Sequence, residues 1–309
     1  MTMPNPTTAP TIATTLRPLK GVRILSLALN LPGPAALMRC LQMGATCTKL
    51  EPPPHPSAPK GSSGDPMSLY NGTAYDALHQ GVKIVTADLK SAAGQAALHK
   101  VLAKTDVLIT SFRPSALAKL GLDWKALHKQ YPALCMVVIV GAPGERAEEP
   151  GHDLTYLAEN NLVNGLELPP SLYADMGGSL MASEAVLQAR LQQLQKGKGV
   201  RIEVALSVAA GYLALPRTWG LTQPGAAVGG GHAGYRVYAC KDGRVAVAAL
   251  EPHFAAALGA AAGLTDSGIK AMFTPETHAA VAAYLAGKTR KQLDALAAAK
   301  DIPLYTLPK

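Results

Sequence analysis

Residues 20–53, KGVRILSLALNLPGPAALMRCLQMGATCTKLEPP, decide the fold. An aliphatic run from Val22 to Leu27 gives way to a helical pattern from Pro34 to Met43, then to a second extended run, Thr46 to Leu50. A short apolar run, a stretch of 3.6 periodicity and another apolar run form the signature of a βαβ unit. Two parallel strands need such a crossover, because a tight turn cannot join them.

The same alternation continues outward. KIVTADL (Lys83 to Leu89), a helix over Ala92 to Leu102, DVLIT (Asp106 to Thr110), helices over Pro114 to Gln130 and CMVVIV (Cys135 to Val140) follow in order. The fold class this predicts is α/β: a doubly wound, Rossmann-like, mostly parallel sheet. The proline-rich stretch Pro52 to Gly64 is read as surface coil, since the alternation resumes after it. Beyond Gly151 the pattern changes. A long helix is expected from Gly178 to about Gln195, with Leu180, Leu187, Leu191 and Leu194 on one face and a stop at Lys196-Gly197-Lys198-Gly199. It should lead into a smaller α+β domain holding a hairpin, YRVYAC and RVAVAAL, with Asp242-Gly243 at its turn. The expected organisation is a disordered tail over 1–18, a large domain over 19–195 and a small one over 196–309.

Composition supports a compact enzyme-like chain. With 309 residues, 48% apolar and 16% charged, it can bury a sizeable core, which excludes a disordered tail or a disulfide miniprotein. The 29 Lys and Arg against 21 Asp and Glu give +8 and a pI near 9.3, favouring anionic partners. Aromatics are only 5% and no Lys/Arg block exceeds two residues, so a phosphate-bearing small molecule is expected rather than nucleic acid. Cys40, Cys47, Cys135 and Cys240 form no CxxC pair and read as buried reduced thiols. The first twenty residues lack a signal-peptide pattern, and no apolar run approaches the ~18 residues of a membrane span. A cytoplasmic protein with no membrane partner is expected. Gly229, Gly231 and Gly234 match GxGxxG but run into a strand, so they fail as a dinucleotide fingerprint. No metal-ligand spacing occurs among the eight histidines.

Three constellations could carry chemistry. Gly151-His152-Asp153 opens a helical pattern, with His152 at the tip and Asp153 near the N-cap; it reads as a plain cap or as a base. Ala174-Asp175-Met176-Gly177-Gly178 puts a lone carboxylate at the start of the long helix, again as a cap or a functional group. Leu250-Glu251-Pro252-His253 sets a carboxylate after an apolar strand, where a charge is costly unless paired or used; Pro252 at a helix start is the plainer alternative.

Taken together, LKGVRILSL, Pro32-Gly33-Pro34, LQMGATCTKLEPP, TADLK and SFRPSALAKLGL resemble the class III CoA-transferase superfamily (CaiB/BaiF type), from Leu19 to about Leu304. That superfamily includes the α-methylacyl-CoA racemases. The resemblance implies that Asp175 is the family's aspartate, a nucleophile toward acyl-CoA in the transferases and one of two bases in the racemases. It matches His152 to the second base and Glu251 to that histidine's support. Transferases commonly carry Tyr and Asn at these two positions, so His152, Asp153, Asp175 and Glu251 together resemble the racemase branch. The Asp153 backbone N–H is implied as a donor to the enolate oxygen. Asn30, Ala87, Phe112, Arg113 and Lys119 are implied CoA contacts, with Arg113 and Lys119 facing phosphate.

The chain also departs from the family. His79-Gln80-Gly81-Val82-Lys83 lacks a usual arginine, Ser111 and Ser115 flank Phe112 unusually, and Ala174 stands where racemases have Gly. The family's C-terminal return segment is read as missing after DIPLYTLPK, which bears on the expectation of an interlocked dimer; a homodimer remains the expectation. The sequence reading is thus a racemase of 2-methylacyl-CoA, with coenzyme A thioester as substrate and no permanently bound cofactor or metal. CoA transfer between carboxylates is the enzymatic alternative, and an inactive CoA-binding homologue the third.

Overall fold

The structure is a computed structural model that describes residues 16–309. The chain divides into two compact units, Met1–Ala214 and Leu215–Lys309.

The first unit carries, in chain order, β1 (Arg23–Ser26), α1 (Pro32–Gln42), β2 (Thr46–Glu51), α2 (Met67–Tyr70), α3 (Gly72–His79), β3 (Lys83–Thr86), α4 (Ala92–Leu102), β4 (Val107–Thr110), α5 (Pro114–Lys119), α6 (Trp124–Gln130), β5 (Cys135–Val140), α7 (Asp153–Glu159), α8 (Tyr173–Lys196), β6 (Arg201–Ala205) and α9 (Leu206–Leu213). Its six strands pair in the order β3-β2-β1-β4-β5-β6, all parallel. This is the doubly wound order, reversing between β1 and β4.

Period-two alternation feeds two cores. Ile24, Val107, Ile109, Val137 and Ile139 point to the face that packs Leu37 and Cys40 of α1 and Val186 of α8. Leu25, Leu108, Met136 and Val138 point to the other, against Leu98, Leu117 and Leu127 of α4, α5 and α6. Every residue of β4 and β5 is buried, as expected of central parallel strands, whereas edge strand β3 is mostly exposed. All four cysteines are free and buried. Burial pushes the Cys47 thiol up to about 12 and raises those of Cys40 and Cys135, so these three stay protonated at neutral pH.

The structure corrects several expectations. α8 begins at Tyr173, five residues before the expected start, so Asp175 lies inside its first turn. Its buried stripe is made mostly of small residues, among them Gly178, Ser179, Ala182, Ala185, Val186 and Ala189, while Leu180, Leu191 and Leu194 are exposed. Small residues let α8 lie close to α1, α9 and the sheet, and bulky leucines on that face would hold them apart. The helix stops at Gly197, whose φ of 69° is left-handed, as the glycine-rich stop implies. The chain then returns to the large sheet as β6, so the compact units divide after Ala214 and not at residues 195/196. Residues 1–15 of the expected tail lie outside the described residues, and Leu19 is already core.

The second unit holds α10 (Leu215–Thr218), β7 (Tyr235–Cys240), β8 (Gly243–Ala248), α11 (Pro252–Ala261), α12 (Pro275–Ala286), α13 (Arg290–Lys300) and β9 (Leu304–Leu307). The expected hairpin is present, and β9 adds a third antiparallel strand. Cys240 pairs with Gly243, so the turn residues are Lys241 and Asp242, one position earlier than expected. Val245, Val247, Leu258, Val281, Leu285 and Leu293 form the core between sheet and helices. No helix among the described residues is long and apolar enough to cross a membrane.

Gly33 sets the approach of α1 to the end of β1. A Cβ there would lie 2.1 Å from the Ala28 Cβ. Gly33→Ala should therefore destabilise the fold by about 1–3 kcal/mol through overpacking. A thermal melt showing an unchanged midpoint would contradict this packing.

Candidate active site

In a doubly wound sheet, the crevice opens beyond the strand ends where the order reverses. A cleft of about 180 Å³ lies there, and three strand ends furnish its walls. Leu29 and Asn30 follow β1, Ser111, Phe112 and Arg113 follow β4, and Ile139 to Gly141 close β5. His152, Tyr156 and Asp175 complete it from α7 and α8.

The β1 side is fixed by a buried charge cluster. Asn30 has a left-handed φ of 62°, and its N–H donates to both carboxylate oxygens of Asp65, at 3.1 and 3.2 Å. The Asp65 carboxylate also accepts the Met67 N–H at 2.9 Å and is ion-paired to Lys49. Lys49, itself fully buried, reaches Glu51 Oε1 at 2.9 Å and His79 Nε2 at 2.9 Å. His79 Nδ1 lies 2.6 Å from the Tyr75 carbonyl, so Nδ1 donates and Nε2 accepts from the ammonium. Burial, then Lys49, holds the His79 pKa down, keeping the ring neutral. Glu51, Asp65 and His79 are grouped closely enough to ligate a metal, yet the Lys49 ammonium stands among them and supplies the cation. Nearer the mouth, the Tyr70 hydroxyl donates to Asn30 Oδ1 at 3.2 Å.

The opposite side is built by two helix starts. His152 is the N-cap of α7 and is exposed. Its N–H donates to Thr155 Oγ1 at 3.1 Å, and the Thr155 hydroxyl donates to its carbonyl at 2.7 Å. Asp153 turns inward and is only 5% exposed. Its Oδ1 accepts the N–H of Asp175 at 3.0 Å, capping α8 from a different segment, since Leu172 at the α8 N-cap makes no side-chain cap. Burial, reinforced by the Asp153 carboxylate, raises the Asp175 pKa to about 7.

The wall between α5 and α7 is clamped by charge. Glu148 accepts the Ser115 N–H at 2.6 Å and its hydroxyl at 2.8 Å, which lowers the Glu148 pKa. Arg146 joins Glu149 at 3.0 Å and Glu159 at 2.7 Å. Ser115, one of the departures from the family, is thus half of this clamp.

Of the residues singled out in the sequence, Asn30, Phe112, Arg113, His152 and Asp175 share the cleft, with Asp153 directly behind Asp175. Ala87 and Lys119 do not line it. Ala87 packs against the second core and donates its N–H to the Glu51 carbonyl at 2.9 Å. Lys119 sits in the last turn of α5, on a separate groove with Lys90 and Ser91. Glu251 is in the second unit, where it is exposed and forms the N-cap of α11, followed by Pro252 at the first helical position. Sequence reading missed the Asp153 side chain, Tyr156 and the Lys49 cluster. The nearest signal for that cluster was a lysine inside an otherwise buried strand, β2.

Residues 19–307 match the family described as CoA-transferase family III. The chain belongs to that family. It is 31% identical over 207 residues to a cinnamoyl-CoA:phenyllactate CoA-transferase of Clostridium sporogenes, covering 62% of this chain and 50% of that protein. It is 28% identical over 296 residues to the α-methylacyl-CoA racemase of Mus musculus, covering 89% of this chain and 73% of that protein. Among these family relatives, the chain thus spans about half the length of the transferase. A hypothetical protein of Mycobacterium tuberculosis shares the fold at a TM-score of 0.77 and 23% identity, over 95% of this chain and 86% of that one. A CAIB/BAIF family protein of Brucella suis does so at 0.74 and 20%, over 96% and 85%.

A carboxyl group that titrates near 7 when folded and 3.8 when free favours the folded state most when protonated. Between these values the native state holds the proton more often, so stability falls as pH rises from about 4 to 7, at about 1.4 kcal/mol per unit of difference. Asp175→Asn should therefore melt higher than wild type at pH 8, with the gap closing by pH 4. A gap independent of pH would contradict the perturbed carboxyl.

Proposed function

We propose that this member of the family is an acyl-CoA enzyme that racemises the α-carbon of 2-methylacyl-CoA. The observation that carries the reading is one cleft that holds both His152 and Asp175, the latter a carboxyl that burial and Asp153 lift to about 7. Exchange of an α-proton needs a base and an acid that each populate both protonation states at working pH. A carboxyl lifted to about 7 meets that requirement in the cleft that also holds His152, whereas an ordinary aspartate near 4 is too weak a base.

In this reading Asp175 and His152 alternate as base and acid. One removes the α-proton, charge moves onto the thioester oxygen, and the other returns a proton to the carbon. The Asp153 N–H, at the open start of α7, donates to that oxygen while its carboxylate holds Asp175 in place. Arg113 and Asn30 take the CoA portion, with Lys119 farther along the nucleotide. Glu251 as support for the imidazole, and a homodimer, come into the proposal from the family resemblance.

A second reading has its own support, the similarity to a cinnamoyl-CoA:phenyllactate CoA-transferase. There Asp175 attacks the thioester carbonyl, expelling CoA and forming an aspartyl mixed anhydride, and CoA is then moved to another carboxylate.

Incubating 2-methylbutanoyl-CoA with the protein in heavy water separates the two. Deuterium should enter the α-position with loss of chirality. Asp175→Asn and His152→Tyr should each slow entry by about 10²-fold or more, the scale of a lost general acid or base. Acyl transfer to an added carboxylate without α-exchange would select the transferase, and neither outcome would contradict both.

A further inference from the structure

Tyr156 is only 7% exposed, and its ring belongs to the core beneath the cleft. Its hydroxyl is the polar end of that buried side chain. Among the described residues no group hydrogen-bonds to it, and its oxygen is not one of the fully buried unpartnered atoms, so it is open to the cleft that Tyr156 lines. The hydroxyl emerges between two glycines that also line the cleft. A Cβ on Gly141 would lie 2.1 Å from the Tyr156 oxygen, and one on Gly151 would lie 2.6 Å away. Neither glycine has a left-handed φ, so backbone conformation does not require them. Space for the hydroxyl does.

We propose that the Tyr156 hydroxyl is a further catalytic group, donating a hydrogen bond to the carbonyl oxygen of a bound acyl thioester. The inference rests on the acyl-CoA reading of the same cleft. The phenol stays protonated at neutral pH: burial, and next the Asp175 carboxylate, raise its pKa. It is therefore a donor that keeps its proton. Negative charge grows on the thioester oxygen whether the α-proton leaves or Asp175 adds to the carbonyl. One preorganised donor at that oxygen serves either course. Tyr156 lies one helical turn beyond His152, so the segment that carries a base also carries a donor.

Two measurements test this. In Tyr156→Phe, kcat for α-exchange or transfer should fall about 10²–10³-fold, the scale of a lost oxyanion donor, with KM nearly unchanged. The melting temperature should hold, because Phe keeps the ring packing. Gly151→Ala, which intrudes on the hydroxyl from the other side, should lower kcat in the same direction. Independently of turnover, wild type should bind 2-methylbutanoyl-CoA more tightly than its thioether analogue, which lacks the carbonyl oxygen, and Tyr156→Phe should lose that discrimination. Wild-type kcat in Tyr156→Phe, or equal discrimination in both proteins, overturns the inference while leaving the acyl-CoA reading intact. Binding of neither ligand by wild type overturns the acyl-CoA reading and this inference together.

Discussion

The contact between the Asp153 carboxylate and the Asp175 N–H, at 3.0 Å, joins the two helix starts on which the site depends. The first turn of any helix leaves N–H groups without partners, and α8 brings no cap of its own. Asp153 supplies it from α7, so the segment that displays His152 is registered against the segment that displays Asp175. The same arrangement bears on the protonation of Asp175. A buried carboxylate stabilises the helix start, but it also stands near a second carboxyl and disfavours that group's ionisation. One side chain thus caps the helix start and adds to burial in raising the Asp175 pKa, at the cost of keeping Asp175 less stable when ionised.

Across the cleft, a different device holds the backbone. Asn30 occupies a left-handed conformation that costs a non-glycine residue about 1 kcal/mol or more. Two hydrogen bonds to Asp65 oppose that cost, and Asp65 is in turn neutralised by Lys49. Burying such charges is favourable only when they are fully paired, and one oxygen, Glu51 Oε2, lacks a partner among the described residues. Removing Lys49 would strand two carboxylates, so the cluster specifies the β1 loop more than it adds net stability. The left-handed loop leaves space where the strand order reverses, and α1 begins directly beyond it with Pro32 and Gly33. A glycine-rich pyrophosphate turn is not needed to open this crevice.

How much of this was legible in the sequence depends on whether the cause is local. β1, α1, β2, α4, β4 and β5 were readable because their apolar period is continuous. β6 was not: Arg201-Ile202-Glu203-Val204 follows a glycine-rich helix stop and carries two charges, which pair with one another at the edge of the sheet. In α8 the leucine stripe was the stronger hydrophobic signal, yet close packing selected the alanines. Within the site, His152 and Asp175 read from position alone as helix caps or functional groups, and the family resemblance singled them out. The Asp153 side chain and Tyr156 were not, since the N–H that Asp153 accepts lies 22 residues away and the glycines that make room for the Tyr156 hydroxyl lie 15 and 5 residues before it. Ala87 and Lys119 carried a family expectation that the cleft itself does not include, and Glu251 lies in the other unit.

The central claim is that Asp175 is an acid–base group because burial and Asp153 together lift its pKa. The most direct measurement is a carbon-13 NMR titration of the Asp175 side-chain carboxyl in wild type and in Asp153→Asn, whose amide oxygen can still accept the Asp175 N–H. The account predicts a wild-type midpoint near 7. In Asp153→Asn the midpoint should move part of the way toward 3.8, because burial, the larger cause, remains. A wild-type midpoint near 4, or one that Asp153→Asn leaves unchanged, would contradict it.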